Sequence, residues 1–150
     1  MLVMLILVVL GGSIVANGAR LQAVGPIVDM NRIAQIESSN NPNVGTNSVG
    51  ATGLNQIRPI ALKDYNNNNP NNQFTQDDLN NPDVNWHVGN WTYNKRIPQM
   101  LKIYGIPDTT ENRIRTYHDG IGNVKNGKTS QVAKDYITKY NNLGAQNGNS

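Results

Sequence analysis

The first helix that the pattern of apolar and polar residues predicts covers residues 29–37. Apolar side chains recur every three residues, at Ile27, Met30, Ile33 and Ile36. Asp29 fits the N-cap position, and the Asn-Asn-Pro sequence at residues 40–42 would end the helix. Glu37 follows Ile33 by four residues, so it shares the apolar face. The pattern therefore puts a carboxylate on the apolar side of a helix, beside its C-terminal end.

The middle of the chain predicts two further helical stretches, separated by a polar loop. A proline can open a short helix over residues 59–65, and the Asn-rich residues 66–72 should form a solvated loop. The Asn-Pro pair at residues 81–82 fits an N-cap followed by the first helical residue. Pro98 should kink or split the helix that follows, and Gly105 should stop its second half.

The C-terminal third predicts two more helices around a loop. Asp108 and Glu111 have the spacing of a capping box, which would begin a helix. Residues 118–128 are rich in Gly and Asn and should form a loop. Ser130 should cap a last helix that ends at Gly144. The fold class expected from these patterns is mainly α, in one small domain with long Gly/Asn-rich loops and little strand.

Residues 1–19 have a different character from the rest of the chain. They are almost wholly apolar, and the first charged side chain is Arg20. The segment predicts a cleaved signal peptide or a membrane anchor, although it has no basic start and is short of the roughly 20 residues that span a bilayer. A buried N-terminal helix is the remaining alternative. We therefore expect an exported domain over residues 26–143 and a flexible tail over 144–150, in the periplasm or cell envelope.

Composition narrows the possible partners. The chain has 150 residues, a net charge of +3 and a pI near 9.3, which favours an anionic partner. It has no basic run longer than two residues, so nucleic acid is not expected as a partner. The absence of cysteine excludes disulfides, thiol catalysis and Cys-ligated zinc, and two histidines do not make a metal site by themselves. No metal or cofactor is therefore expected.

One short motif suggests nucleotide binding. Residues 122–129, GNVKNGKT, fit the phosphate-loop pattern G-x-x-x-x-G-K-[ST]. That motif requires a strand before it, a helix after it and further βα units that complete a parallel sheet. The sequence before Gly122 has a helical pattern, and only 21 residues follow Thr129. The context therefore argues against a phosphate-binding loop.

A second set of motifs extends from about residue 30 to residue 140. The first block has a helix that ends in Glu-Ser, then Asn-Pro, a Gly-rich loop and a proline: Glu37-Ser38, Asn41-Pro42, Gly50-Ala51-Thr52-Gly53-Leu54-Asn55-Gln56 and Pro59. Later blocks contain Asn85, Gly89 and Tyr93, then Tyr117 and Gly120, then the closing DYITKY. In this order the blocks resemble the signature of lytic transglycosylases of the soluble, goose-lysozyme-like type. The resemblance implies a lysozyme-like α+β fold.

The chain departs from that signature at three places. Asn55 stands where the family has Met, which would make an apolar contact beneath the sugar polar. His118 and Asp119 stand where the family has Asn-Ala. Pro98 interrupts a helix that is long in the family. These departures bear on substrate preference and efficiency more than on the class of reaction.

The resemblance implies cleavage of the MurNAc–GlcNAc bond of peptidoglycan. Glu37 would protonate the leaving oxygen and then act as base, with help from the acetamido group of the sugar, and the C6 hydroxyl of muramic acid would attack to give a 1,6-anhydro end. A carboxyl group can serve as this acid near neutral pH only if its pKa is raised, and an apolar environment raises it. The resemblance implies that Ser38 supports Glu37 and that Gln56 and Tyr117 contact the acid or the sugar.

Other roles and alternatives follow from the same motifs. We expect Asn55, His118 and Asp119 near the substrate, and four aromatic residues in the core: Trp86, Trp91, Tyr93 and Tyr104. One alternative is a hydrolytic muramidase in which Asp119 is a second carboxylate. Another is a non-catalytic wall-binding or assembly subunit. The expected partner is the peptidoglycan glycan strand, bound by a monomer that meets the membrane only through residues 1–19. Wall remodelling, a secretion or conjugation machine, and a bacteriophage are all possible settings.

Overall fold

A computed structural model describes residues 14–17, 20–23 and 25–147. Strands β1 (Ile14–Asn17) and β2 (Arg20–Ala23) pair antiparallel, with Ile14 opposite Ala23. The predicted export segment lies outside the described residues except for β1, and its role stays a prediction. Within the described part of the chain, no helix is both long and apolar enough to cross a membrane.

The rest of the described chain is helical, with irregular connections. The helices are α1 (Met30–Ser38), α2 (Pro59–Asn68), a 3₁₀ helix (Asp77–Asn80), α3 (Pro82–Trp91), a π-helical turn (Thr92–Arg96), α4 (Ile97–Ile103), α5 (Thr110–Asp119), α6 (Ile121–Lys125) and α7 (Gln131–Asn147). Their buried apolar side chains form one cluster. The prediction of a mainly helical, single small domain is confirmed.

Helix α1 has the predicted start. The Asp29 carboxylate accepts a hydrogen bond from the Asn31 N–H, as an N-cap does. Ser39 and Asn40 both have positive φ, which turns the chain sharply after the helix. The predicted apolar face needs one correction, because Ile27 lies before the helix and is 75% exposed. Met30, Ile33 and Ala34 are the buried apolar residues of α1.

The helical segment after Asn81 continues past Pro98, which the sequence predicted would kink or split it. Asn81 caps α3 by accepting from the Asp83 N–H. Pro98 has no N–H to donate and lies in the first turn of α4. The preceding π-helical turn accommodates the change, since the Ile97 N–H bonds to the Thr92 carbonyl five residues back. The chain therefore stays helical through residues 82–103 instead of breaking at Pro98.

The predicted capping box at Asp108 and Glu111 is wrong. Thr109 caps α5 instead, by accepting from the Asn112 N–H. Asp108 forms a bidentate ion pair with the buried Arg113, in which Nε lies 2.6 Å from Oδ1 and Nη2 lies 2.8 Å from Oδ2. The carboxylate that the sequence suggested as a cap therefore neutralises a buried guanidinium.

Three predicted loop boundaries also need correction. Helix α2 continues to Asn68, into the segment 66–72 that the sequence predicted as loop. Residues 118–128 contain the end of α5 and all of α6, because Gly120 at φ +80 turns the chain directly from one helix into the next. Helix α7 begins after the predicted cap, with the Ala133 N–H donating to Ser130 Oγ, and passes Gly144 to reach Asn147.

One side chain joins three segments of the fold. Asn85 lies on α3 and is 0% exposed. Its Oδ1 accepts from the Asn55 N–H at 2.8 Å, and its Nδ2 donates to the carbonyls of Thr52 and Leu79 at 2.7 and 2.9 Å. All three partners are backbone groups, so the contact fixes the chain path of the Gly-rich loop and of the 3₁₀ helix against α3.

Two glycines permit the close packing around Asn85. A side chain on Gly53 would come within 2.3 Å of the Leu79 carbonyl oxygen and 2.4 Å of Asn85 Nδ2, and its φ of +72 favours glycine. A side chain on Gly89, one helical turn after Asn85, would come within 2.9 Å of Met30 Cε and 3.3 Å of Ile57 Cδ1. Gly89 therefore lets α1 and the loop pack directly on the backbone of α3.

We predict that Asn85→Ala lowers the free energy of unfolding by at least about 2 kcal/mol. The substitution leaves the buried Asn55 N–H and the Leu79 carbonyl without partners, and each such group costs about 1–3 kcal/mol. The Thr52 carbonyl keeps the hydrogen bond from the Ile57 N–H. Urea unfolding followed by circular dichroism measures the loss. Asn80→Ala is the matched control, because Asn80 is exposed and donates only to the nearby Asp77 carbonyl. A similar loss in both variants would contradict this account of Asn85.

Candidate active site

Glu37 is the next-to-last residue of α1, between the buried Ile33 and the buried Ser38 along the helix face. Its side chain is half-buried. Burial raises the pKa of the Glu37 carboxyl above its ordinary value. The Tyr136 hydroxyl, then Arg58, then Lys139 oppose this shift in part. The partial desolvation expected from the sequence pattern is therefore present in the structure.

Several buried polar side chains near this carboxyl have no hydrogen-bond partner. Three buried tyrosine hydroxyls lack a hydrogen-bond partner, those of Tyr93, Tyr117 and Tyr136, and so does His118 Nε2. The Tyr136 hydroxyl is near enough to Glu37 to lower its pKa, but completes no hydrogen bond with it. Buried polar groups are usually paired, so this concentration of unpaired groups is typical of a site that binds a polar ligand.

The rings of this group pack against one another. Tyr93 stacks on Tyr117 with centroids 4.6 Å apart, and His118 lies over Tyr136 with centroids 4.2 Å apart. The rings come from the π-helical turn, α5 and α7. Ring packing therefore brings three separate elements together beside the C-terminal end of α1 and fixes the orientation of the unpaired hydroxyls.

Electrostatics keep this aromatic group neutral at neutral pH. Burial raises the pKa of Tyr93, Tyr117 and Tyr136, so all three phenols keep their protons and can donate hydrogen bonds. Burial, together with the nearby Arg58, lowers the pKa of His118 to about 4. His118 is therefore a neutral imidazole, and the aromatic group beside Glu37 carries no charge.

Arg58 is the charged member of the site. Its guanidinium lies over the Tyr117 ring, with Cζ 4.6 Å from the ring centroid. It is half-buried, and its Nε has no hydrogen-bond partner. The sequence did not single out Arg58, because one arginine before a helix-opening proline has no distinctive pattern. Tyr136 was also missed, since its helical spacing in α7 predicts burial but not the element that it meets.

Ser38 and Gln56, which were expected to have roles at the site, form hydrogen bonds with nearby residues of the same helix or loop. The Ser38 hydroxyl is buried and donates to the Ala34 carbonyl one turn back in α1, at 3.0 Å. The Gln56 amide donates to the carbonyls of Gly45 and Gly53 and accepts from Asn47 Nδ2. Gln56 also has a positive φ of 44. Its contacts stabilise the Gly-rich loop after α1.

Asn55 lies beneath the surface of the domain. It is 1% exposed, and neither its Oδ1 nor its Nδ2 has a hydrogen-bond partner. Its Nδ2 is among the atoms nearest to Gly89, where it would lie 3.5 Å from an added Cβ. A side chain this deeply buried does not reach a sugar in this conformation. The replacement of Met by Asn therefore puts an unpaired amide into the core.

Asp119 is bound to the start of α7. Its Oδ2 accepts from the Ser130 N–H at 2.9 Å, and its Oδ1 accepts from the Ser130 hydroxyl. Partial burial alone would raise the pKa of Asp119, but these hydrogen bonds and the nearby His118 and Arg115 hold it below its usual value. The sequence predicted a solvated loop position for Asp119, whereas it is the last residue of α5 and is fixed by Ser130.

A cavity of about 460 Å³ lies beside this group, between α2, α4 and α5. Its polar lining includes Arg58, Tyr117 and His118. Its apolar lining comes from Ile60, Ala61, Ile97, Met100 and Ile121. Glu37 does not line it, so the cavity adjoins the carboxyl through Arg58 and Tyr117. We therefore regard the candidate site as the Glu37 surroundings extended by this cavity.

The residues of the phosphate-loop motif lie in and after a short helix, not between a strand and a helix. Residues 122–129 comprise most of α6, the turn at Gly127 and the approach to α7, and helix α5 precedes them. Within residues 25–147 no strand leads into the motif. Lys128 is exposed, and its carbonyl accepts from Arg115. The motif therefore lacks the strand that would point its backbone amides at a phosphate.

A family model described as the transglycosylase SLT domain matches residues 29–140. The chain belongs to this family. The match begins at the N-cap of α1 and ends in α7, so the SLT domain includes every residue of the candidate site. Comparisons with curated proteins and with solved structures gave no match. The resemblance to lytic transglycosylases inferred from the sequence is confirmed at the level of the family.

The burial of the four aromatic residues predicted for the core confirms two of them and corrects the other two. Trp91 and Tyr93 are buried as expected. Trp86 and Tyr104 are 43% and 46% exposed and do not belong to the core. Trp86 lies in the middle of α3 but away from its buried face, which contains Asn85, Val88 and Gly89, and Tyr104 follows the last residue of α4.

We predict that Glu37→Gln raises the melting temperature of the domain at pH 7 by a few degrees and leaves it nearly unchanged at pH 4. The folded Glu37 binds its proton more tightly than the unfolded chain does. Wild-type stability therefore falls as the pH rises from the ordinary value of 4.5 through the raised pKa of the folded state. The glutamine amide does not titrate, so the variant avoids this loss.

Thermal melting at the two pH values measures the effect. Glu111→Gln is the control, because Glu111 is exposed in the first turn of α5 and should show no gain at pH 7. An equal gain at both pH values would mean that burial of the charge is not the cause.

Proposed function

We propose that this SLT domain is a peptidoglycan lytic transglycosylase that cleaves the MurNAc-β-1,4-GlcNAc bond and leaves 1,6-anhydromuramoyl ends. Glu37 is the general acid and then the base. The observation that supports this role most directly is the raised pKa of a half-buried carboxyl beside a group of unpaired hydroxyls. At the coarser level of the family, the domain has a peptidoglycan-cleaving role of the lytic-transglycosylase type.

The first step is proton transfer to the leaving oxygen. A carboxyl with a raised pKa keeps its proton at higher pH than an ordinary glutamic acid, so Glu37 is suited to donate it as the sugar takes on oxocarbenium character. Tyr136 and Arg58 oppose the rise in pKa, which leaves the proton removable. After donation, the Glu37 carboxylate is the base that removes a proton from the attacking hydroxyl.

The attacking group is the C6 hydroxyl of the muramic acid residue. It is tethered to the reacting sugar and has a high effective concentration. A hydrolase would need a second carboxylate to activate water or to form a covalent intermediate. Asp119 is the candidate, but both of its oxygens accept hydrogen bonds from Ser130, and its lowered pKa makes it a weaker base. These contacts favour the transglycosylase over the hydrolytic muramidase.

The supporting residues have different parts in this proposal. Tyr117 and Tyr136 supply neutral donors for sugar hydroxyls or for the acetamido oxygen. Tyr93 is only 1% exposed and supports Tyr117 by stacking on its ring. Ser38 and Gln56 act indirectly, because Ser38 closes the last turn of α1 and Gln56 stabilises the loop that follows. A non-catalytic wall-binding subunit remains the alternative from a different class, and turnover excludes it.

The proposed substrate sets the proposed location. Peptidoglycan lies outside the cytoplasmic membrane, so the domain should act in the periplasm or cell envelope, and export by residues 1–19 is part of this proposal. The substrate is a strand of alternating amino sugars and requires no metal or nucleotide. We propose that a single domain acts on one strand at a time.

We predict that Glu37→Gln lowers lysis of purified sacculi by roughly 10²–10⁴-fold, the usual cost of losing a general acid. The amide keeps the shape of the side chain but cannot donate the proton. Turbidity loss of sacculi measures the rate, and circular dichroism shows whether the fold is kept. Glu111→Gln is again the control and should lyse at the wild-type rate. Activity of Glu37→Gln above a tenth of wild type would remove Glu37 from this role.

We predict that most new ends made by the wild-type domain are 1,6-anhydromuropeptides. Such ends have one water less than hydrolytic ends and resist borohydride reduction. Mass spectrometry of reduced digests of sacculi distinguishes the two products. A majority of reducible ends would show that the enzyme is a hydrolase.

Asp119→Asn is the matched variant for the product experiment. If Asp119 only anchors Ser130, the variant keeps the anhydro product and loses less than about tenfold in rate, together with some thermal stability. If Asp119 is the second carboxylate, the variant is nearly inactive and the wild-type ends are reducible. The two outcomes distinguish the two mechanisms.

A further inference from the structure

Arg58 differs from the other arginines whose side chains the structure describes. Three of these pair with aspartates: Arg32 with Asp29, Arg96 with Asp64 and Arg113 with Asp108. Arg115 donates to Asn112 Oδ1 and to the Lys128 carbonyl. Over residues 25–145, Arg58 alone among the arginines forms neither a salt bridge nor a side-chain hydrogen bond.

The position of Arg58 makes this lack of a partner informative. The guanidinium is half-buried and covers one face of Tyr117. Burial raises the pKa of the Tyr117 hydroxyl, and the nearby Arg58 opposes this rise without completing a hydrogen bond to the hydroxyl. Arg58 Nε is buried without an acceptor, and an unpaired buried donor is destabilising, so an anionic ligand at this position would supply the missing hydrogen bond.

The cavity beside Arg58 restricts the chemistry of that ligand. Its other charged groups already have partners within the protein, since Arg96 pairs with Asp64 and Asp119 accepts from Ser130. The remaining lining is largely apolar and includes Ile97, Met100 and Ile121. A ligand that fits has one carboxylate close to methyl or methylene groups, because a guanidinium binds a carboxylate in a bidentate manner.

Muramic acid carries such a group, whereas its partner sugar in the strand does not. The D-lactyl arm on C3 of MurNAc has one methyl group and one carboxyl group, which is free in peptide-less strands and amide-linked when a stem peptide is present. The stem peptide brings further carboxylates. GlcNAc has no such arm. A carboxylate site near Glu37 would therefore recognise muramic acid.

We propose that Arg58 binds a carboxylate on the side arm of muramic acid and that the apolar wall of the cavity takes the neighbouring methyl groups. This inference rests on the proposed function and identifies Arg58 as a specificity-determining residue. The carboxylate comes either from the lactyl arm itself or from the stem peptide. Both sources have the same chemistry at Arg58, and the experiment below separates them.

The test measures binding to the Glu37→Gln protein, which should bind glycan fragments without cleaving them. Three fragments of the same length are compared by calorimetry: a peptide-free fragment with free lactyl carboxylates, its methyl ester, and a peptide-bearing fragment. We expect the free acid to bind about tenfold or more tightly than the ester, since a hydrogen bond to a charged group contributes about 1.5–3 kcal/mol. Adding Arg58→Gln should remove this difference.

Arg32→Gln in the same Glu37→Gln background is the matched control. Arg32 also lies over a tyrosine ring, with Cζ 5.1 Å from the centroid of Tyr140, but it pairs with Asp29 and does not line the cavity. It should keep the preference for the free acid. Arg58→Lys should keep part of that preference, because it retains the charge without the bidentate geometry.

The binding results show which group supplies the carboxylate, or that the inference is wrong. If the peptide-bearing fragment loses affinity with Arg58→Gln while the free acid and ester bind alike, the stem peptide supplies the carboxylate. If Arg58→Gln changes the affinity for all three fragments equally, or for none, the inference is wrong while the proposed function stands. If the Glu37→Gln protein binds no fragment at all, the proposed function fails and the inference fails with it. If Arg58→Gln does not fold, Arg58→Lys decides the matter, because it keeps the charge and should reduce the preference for the carboxylate-bearing fragment only in part; an unchanged preference in Arg58→Lys would then overturn the inference.

Discussion

The three hydrogen bonds of the Asn85 amide are the constraint on which the rest of this domain depends. They join the Gly-rich loop and the 3₁₀ helix to α3 through backbone groups. A buried amide with all its partners in place costs little, but the same amide with one partner missing costs about 1–3 kcal/mol. The loop therefore has one low-energy path across α3. Gly53 lies on that path because an added Cβ would collide with Asn85 itself.

The same face of α3 then positions the site. Gly89 and Tyr93 follow Asn85 at intervals of four residues, so all three lie on one stripe of the helical segment. Gly89 lets Met30 of α1 and Ile57 of the loop pack against the helix backbone. Arg58 directly follows Ile57, and Tyr93 stacks on Tyr117. The contacts that stabilise the core thus also determine where the acid, the cation and the aromatic donors lie.

The site itself is less stable than the core that surrounds it. Three tyrosine hydroxyls, His118 Nε2 and Arg58 Nε are buried without partners, and a desolvated carboxyl lies among them. Each of these groups lowers the stability of the protein. The unpaired amide of Asn55 is a further such group, and it lies in the core.

The sequence by itself determined the helices with clear start and stop residues, the family and the partial burial of Glu37. Asp29, Asn81 and Ser130 act as caps through atoms only two or three residues away, so local sequence is sufficient for them. Only the tertiary structure decided that Asp119 anchors Ser130 and that Arg58 and Tyr136 flank Glu37. Helical periodicity predicts which face is buried but not which element covers it. The partners of a charged or aromatic side chain are set by packing between segments far apart in the chain, and that information is not present in any local pattern.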